Sequence, residues 1–479
     1  MATLFEILSG QNPWWTGTPF ELGHEREVYL KTIDRFVKTG EIVVLSGVRR
    51  SGKTTLLFQT IQMLIKKGRV PQTNILFVNC DEPGIAEKKN ALLEVVDVYR
   101  REIDPKGTIY LVLDEVQAVE NWEREVKSLY DKKTCRIILS GSSSYLLDSQ
   151  ISTLLSGRYL AVPVFPLDFF EYLGFQTIVP PRDAAGRAAQ KYEIMARLRQ
   201  YLREGGFPMV VLQQDGRTKE DYLRAYYDSI VYRDIVRANV IRNQKALALL
   251  LSHLFTNIAA PFSYRRLKET LGIDIDTIRD YIHFAGMAKI LFEVPFFSWS
   301  LSVQARQNRK IYCIDNGLRN AVSFRFSEDE GKLAENLVFV ELLRSGEFPC
   351  YWKQNREVDF VTKAADNTIT GINVCYSDEI PAREYEGLEE FAKTFPGAVR
   401  ELLILTKDYE ATKGSITCVP LWKWLLMRRE HGPLDAIRSG RSSSHGSGDY
   451  TKERKNSLEK DFDTVVNGII DRRKKKDRL

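Results

Sequence analysis

"EIVVLSGVRRSGKTTLLFQTIQMLI", residues 41–65, decides how the rest of the chain is read. An apolar run ends in a glycine, a loop rich in glycine and cations follows, and apolar residues (Leu56, Leu57, Ile61, Leu64) then recur at helical spacing. Strand, loop and helix are the context in which the pattern G-x-x-x-x-G-K-[ST] cradles a phosphate chain. Gly47 and Gly52 let the backbone turn so that successive N–H groups converge on one anion, and the helix start adds partial positive charge. The expected phosphate contacts are Gly47, Val48, Arg49, Arg50, Ser51, Gly52, Lys53, Thr54 and Thr55. Lys53 reaches the terminal phosphates and Thr54 offers its hydroxyl to Mg2+. A nucleoside triphosphate is the expected ligand.

A second apolar run, "TIYLVLDEVQ" (108–117), ends in two acids. At the end of a strand beside the loop, Asp114 is expected to hold Mg2+ and Glu115 to polarise the attacking water. A third run, "CRIILSGSSS" (135–144), ends in hydroxyls instead. Ser140, Ser142 and Ser143 are expected either near the terminal phosphate or in an ordinary hydroxyl-rich turn. In "LLSGRYLAVPVFPLDFFEYL" (154–173), Arg158 is the first candidate for the arginine that meets charge developing on the phosphate. Arg49 and Arg50 are alternatives, and a surface ion pair is the competing reading of each. Strands alternating with helices from Val43 to Val164 call for a parallel sheet covered on both faces, an α/β fold of the P-loop NTPase kind. The guanine signature N-K-x-D is missing, its nearest string "LTKDYE" (405–410) having the wrong spacing, so ATP is expected rather than GTP.

The 479 residues exceed one ordinary core of roughly 100–200 residues. With 44% hydrophobic and 11% aromatic residues, most of that length is expected to fold. The net charge of +6 is concentrated at one end: residues 441–479 carry eleven Lys and Arg against seven Asp and Glu, leaving only about +2 for everything before them. Six scattered cysteines without CxxC spacing are expected as buried, reduced thiols. "MATLFEILSGQNPWW" has no basic region ahead of a long apolar run, and no window approaches ~18 apolar residues, so a soluble cytoplasmic protein without a transmembrane segment is expected.

These stretches, with "YLREGGFP" (201–208) and "EVDFV" (357–361), resemble in their order the archaeal-type AAA ATPases, close to the signal-transduction (STAND) branch, over roughly residues 20 to 425. The resemblance implies ATP binding and hydrolysis, a helical lid, a winged-helix segment and a C-terminal domain of restriction-endonuclease-like fold. The catalytic set is then Glu115, Lys53, Arg158 and Ser142, with Thr54 and Asp114 at the metal. The expected domains are a P-loop core at 1–180, a lid at 181–243, a winged-helix segment at 244–315, a nuclease-like domain at 316–430, and a flexible linker with a basic amphipathic tail helix at 431–479.

In the lid, Arg233 and Asp234 are expected either as an ion pair or as solvated charges. Beyond it, Ser263 and Asp276 sit where helix N-caps belong and Gly272 separates two short helices, a helix-turn-helix layout with a wing behind it. The second helix presents Thr277, Arg279, Asp280 and His283, and its two acids would repel a phosphate backbone. Arg265, Arg266 and Lys268, with Arg306, Arg309 and Lys310, are better phosphate contacts, so either DNA is held by its backbone or the segment packs on protein.

A nuclease of the PD-(D/E)xK kind would join Glu335 and Asp359 with Glu-x-Lys on the next strand. That strand, "TGINVCYS" (370–377), carries Asn373 for the acid and Cys375 for the lysine. An amide is a poorer Mg2+ ligand and a thiol cannot replace an ammonium, so this degenerate set is expected to serve binding or assembly, with Lys363 a lesser source of charge. After the linker "SGRSSSHGSGDY" (439–450), Leu458, Phe462, Val465, Val466, Ile469 and Ile470 recur at helical spacing before "DRRKKKDR", an apolar stripe expected to dock on protein. The whole reads as a Mg2+-dependent ATP-driven switch or motor acting on DNA, a protein partner or a second copy. The alternatives are an ATP-controlled DNA nuclease and a non-hydrolysing nucleotide-bound scaffold.

Overall fold

Strand β1 (Ile42–Gly47) is buried along its whole length, and its side chains alternate between two separate cores. Ile42 and Val44 pack with the helices Ala91–Ile103 and Trp122–Asp131, whereas Val43 and Leu45 pack with Glu27–Val37 and Lys53–Lys66. That alternation is what a period of two dictates for a strand covered on both sides. With β2 (Ile75–Asn79), β3 (Ile109–Asp114), β4 (Cys135–Ser142) and β5 (Tyr159–Pro163) it forms an all-parallel sheet of order β2-β3-β4-β1-β5. This computed structural model describes residues 2–142, 155, 157–179, 183–323 and 329–430. The expected tail helix and Ser143 lie outside the described residues.

Helices Phe169–Phe175, Lys191–Glu204 and Gly216–Ile230 follow the sheet, the last running on into a π-helical stretch, Val231–Arg237. Next come Gln244–Thr256, Tyr264–Leu271 and Ile275–Met287 with a three-stranded antiparallel sheet, β6 (Pro261–Phe262), β7 (Leu291–Val294) and β8 (Arg309–Cys313), in which β8 is central. Ser263 caps its helix by accepting from Arg266 N at 3.2 Å. The expected cap Asp276 lies inside the first turn instead, and Asp274 caps by accepting Asp276 N at 3.3 Å.

Helix Glu330–Arg344 then covers a six-stranded mixed sheet made of β9 (Cys350–Lys353), β10 (Glu357–Lys363), β11 (Ile369–Cys375), β12 (Val399–Thr406), β13 (Ala411–Lys413) and β14 (Ile416–Pro420), in the order β13-β14-β12-β11-β10-β9. The parallel step from β11 to β12 crosses over through helix Ala382–Thr394, as parallel pairing requires. One continuous apolar core runs from Phe165 and Leu167 through Leu198, Ile278 and Ile311 to Leu337 and Phe360, so the helices after the parallel sheet, the three-stranded sheet and the C-terminal sheet share their buried surface. All six cysteines are free thiols, five of them buried. Among the described residues no helix is long and apolar enough to cross a membrane.

Candidate active site

The loop after β1 is held in a tight curl. Arg50 has φ +68° and Gly52 φ +93°, left-handed values that turn the chain into the helix Lys53–Lys66. At Gly47 a Cβ would lie 2.1 Å from the carbonyl of Val164, so only glycine lets β5's continuation pass this close. Lys53 is buried and donates to the carbonyls of Gly47 at 3.0 Å and Val48 at 3.1 Å. Burial holds its ammonium below the usual value, against the pull of Glu115 and Asp114. Its charge rests on neutral oxygens.

Across from the loop, Thr54 donates to Asp114 Oδ2 at 2.7 Å, and Ser140 donates to Asp114 Oδ1. Burial pushes Asp114 above the ordinary carboxylate range, while these two hydroxyls pull it back. Glu115 follows with a left-handed backbone, φ +50°, its N–H donating to Ser140 Oγ at 3.3 Å and its carboxylate accepting from Gln117. A non-glycine residue in that conformation is strained by of order 1–3 kcal/mol, the kind of strain that clusters at functional sites. Ser142 is buried at the end of β4, paired in register with Gly47. The donor set suits a triphosphate with Mg2+: an ammonium matched only to carbonyls, a buried Ser51 hydroxyl that makes no hydrogen bond, and hard oxygens from Thr54 and Asp114.

Arg158, Arg233 and Arg49 each stand against a carboxylate. Arg158 precedes β5, and its carbonyl accepts from the N–H of Ile42 at the opposite end of β1. The length of that strand, roughly 16 Å, separates it from the loop in its own chain, and it lies 4.0 Å from Asp131. Arg233 is 3.7 Å from Asp81, not paired with Asp234. Asp234 instead accepts from Arg49 Nε at 2.9 Å on both oxygens, so the phosphate loop is tied to the π-helical stretch, and Arg49 also lies 3.9 Å from Glu115. The π-helical stretch carries Asp234, which is almost fully buried, to that contact.

Sequence reasoning missed Arg26. Its guanidinium is buried and donates to the carbonyl of Ser51 at 3.0 Å, the carbonyl of Phe165 at 3.1 Å and both oxygens of Glu171. It fixes the loop from beneath. "GHEREVYL" reads as a solvated charge run, and only the burial of Arg26 distinguishes it.

A second polar cluster forms in the C-terminal region. Lys310, from β8 and 1% exposed, lies 2.9 Å from Glu335, 2.7 Å from Glu357 and 3.3 Å from Asp359. Tyr312 donates to Glu335 Oε1 at 2.6 Å, and Asp359 accepts from the N–H of Val374 at 2.9 Å. Burial, then the charge of Asp359, pushes Glu335 up to about 7 against Lys310. Burial works against ionised Glu357 as well, but Lys310 and Lys353 hold it below the ordinary range. Asn373 accepts from the N–H of Asp359 at 3.1 Å and donates to Glu384 Oε2 at 3.0 Å. Cys375 turns away, its thiol 3.2 Å from Ser377 Oγ. Lys363 stacks on Trp299 at 5.0 Å and does not join the cluster. Lys310, read in sequence as a candidate phosphate contact or part of a protein-packing segment, is buried among carboxylates because β8 is the central strand of its sheet.

The parallel sheet, the curled loop and the paired acids define an AAA-type P-loop ATPase fold. A family profile described as "AAA domain" matches residues 39–173, and two domains of unknown function, DUF8612 and DUF4143, match residues 195–329 and 330–424. The uncharacterized protein MJ1544 of Methanocaldococcus jannaschii is 31% identical over 85% of this chain and 93% of its own length. The chain belongs to the family of that protein. An uncharacterized protein of Haemophilus influenzae is 29% identical over 84% of this chain and 98% of its own. Among solved structures, the Aeropyrum pernix ORC1 protein in complex with DNA is 14% identical, covering 64% of this chain and 93% of that one at a TM-score of 0.28, a likeness that carries no functional conclusion.

Proposed function

We propose that this protein is a Mg2+-dependent ATPase whose nucleotide state is passed to the region that follows the parallel sheet. The observation that carries the reading is the Thr54–Asp114 contact at 2.7 Å, which joins the phosphate loop to the acid pair at the end of β3. The amides of residues 50–55 and the Lys53 ammonium hold the triphosphate, and Thr54 and Asp114 are the residues to hold Mg2+. When bound, Mg2+ neutralises charge on the phosphate oxygens. Glu115 orients and polarises the attacking water, with Ser140 and Ser142 beside it. Arg49, joined to Asp234, links the loop to the lid, so an anion in the loop competes with Asp234 for the same guanidinium. Arg158 is left without a part in its own chain. The test is ATP turnover by the purified protein in Mg2+ buffer, with and without double- or single-stranded DNA. Turnover that Lys53→Ala leaves untouched sinks the reading.

For what is moved, the segment after the lid supports packing on protein better than contact with DNA. Of the six basic side chains that a DNA backbone would use, Lys310 is buried, and Arg265, Lys268 and Arg309 face Glu269, Asp274 and Glu293 at 3.1, 3.2 and 3.0 Å. We read this segment as a winged helix docked on a non-cleaving, nuclease-like C-terminal domain. DNA cleavage under ATP control is the second reading, and the meeting of Glu335 and Asp359 with a lysine favours it. Plasmid nicking that Asp359→Ala abolishes would establish that reading.

A further inference from the structure

Glu335 comes from a helix, and Glu357 and Asp359 come from β10, yet all three carboxylates converge on a single atom, the ammonium nitrogen of Lys310. Such a convergence of partly buried carboxylates is unfavourable without a cation at its centre. The cation comes from outside the C-terminal sheet. Lys310 is the second residue of β8, facing Pro261 in β6 on one side and Val294 in β7 on the other. Two residues along, on the same face of that strand, Tyr312 donates to Glu335, so β8 supplies both contacts. An apolar side chain would fill this place in the core at far lower desolvation cost, so the charge itself is what the position requires.

The ammonium and a metal ion would set this cluster at different spacings. Oxygens at 2.7 to 3.3 Å suit an ammonium, whereas Mg2+ draws its oxygens to about 2.0–2.1 Å. Among the described residues, no group of three or more His, Cys, Asp and Glu side chains is spaced to hold a metal ion. We propose that Lys310 is a tethered counter-cation: its ammonium takes the place a divalent ion would take, and the C-terminal cluster admits such an ion only when that ammonium is withdrawn. This deepens the non-cleaving reading of the C-terminal domain, and rests on it. A catalytic lysine would make the opposite demand, sitting beside a bound metal rather than in its place.

The experiment uses the full chain without nucleotide and Mn2+ as the probe, reading Mn2+ stoichiometry by titration and melting temperature by circular dichroism. Lys310→Met is expected to gain one Mn2+ per chain and to melt higher when Mn2+ is added, and Lys310→Met/Glu335→Gln to lose that gain. A folded Lys310→Met that binds no additional Mn2+ overturns the proposal. Should Lys310→Met fail to fold, the wild-type chain decides. Glu357→Gln leaves its Mn2+ stoichiometry unchanged if the ammonium holds the position and lowers it by one if a metal does. Plasmid nicking separates the two levels of the argument. Mn2+-dependent nicking by the wild-type chain that Lys310→Met abolishes removes the non-cleaving reading together with the counter-cation, whereas absent nicking with no gain of Mn2+ removes the counter-cation alone.

Discussion

Lys53 and Lys310 are almost equally hidden from solvent, 4% and 1% exposed, and the protein treats their charges in opposite ways. Lys53 lies against two carbonyls, and burial lowers its proton affinity. Burial acts on Lys310 in the same sense, but Glu335 leads a set of neighbouring acids that outweigh it and raise its affinity well above normal. A buried ammonium facing neutral oxygens keeps its attraction for an incoming anion, and one facing three carboxylates has spent it. The lesson is that a lysine among acids does not announce a reactive site. The partner at hydrogen-bonding distance decides whether its charge remains on offer.

The largest test of this contrast is stability. Lys310→Met leaves three partly buried carboxylates without their cation and should cost about 3 kcal/mol in denaturant unfolding, the low end of the penalty for breaking a buried pair. Lys53→Met removes an ammonium with no carboxylate at hydrogen-bonding distance and should be neutral or slightly stabilising, and equal losses at the two positions would erase the distinction. Next in size, Glu115→Gln should lower ATP turnover at least about a hundredfold while nucleotide binding is retained, read by phosphate release against equilibrium binding.

A third buried charge sharpens the comparison. Asp315 has neither an anion site nor a cation at hydrogen-bonding distance; it accepts from the N–H groups of Gly206 at 2.6 Å and Leu318 at 2.9 Å, and burial pushes it up to about 6 despite them. Its charge is felt by Cys313 and Tyr201. Because its folded value lies above the unfolded one, the folded chain holds the extra proton between about pH 4 and 6. Its contribution to stability therefore falls as pH rises through that window and is flat above it, by on the order of 1–3 kcal/mol. Denaturation of wild type and Asp315→Asn across pH 4–7 should show a steeper fall in the wild type, because Glu335, pushed up to about 7, contributes a slope of the same sign to both chains. The smallest effect is expected at Arg158, where alanine should leave turnover within about twofold if no second copy contributes it; a large loss would mean that the residue acts on a neighbouring molecule's loop.

The parallel sheet was legible because strand, glycine loop and helix are local patterns, and Asp114 and Glu115 were legible because an apolar run ended in them. For Arg158, spacing along the chain marks a strand's start but does not reveal which end of the sheet faces the loop, nor whether a second copy brings an arginine to it. The partner of Asp234 is 185 positions away in the chain, beyond the reach of any window. At the C-terminal cluster, Glu335, Asp359 and Asn373 were recognised from their elements, yet the lysine was sought on β11 and came from β8, where "NRKIY" reads as an exposed basic turn. Arg26 was overlooked because burial, not pattern, gives it its role.

Helix Glu330–Arg344 carries Glu335 near one end, and at the other Arg344 lies 5.0 Å over the ring of Phe165. The carbonyl of Phe165 and that of Ser51 in the phosphate loop are held by the same guanidinium, that of Arg26. Nine residues of helix make a tie-rod of roughly 14 Å with no hinge in it. A substitution that shifts either end loads the other, so a defect measured at one chemistry has to be checked at both before it is assigned to either.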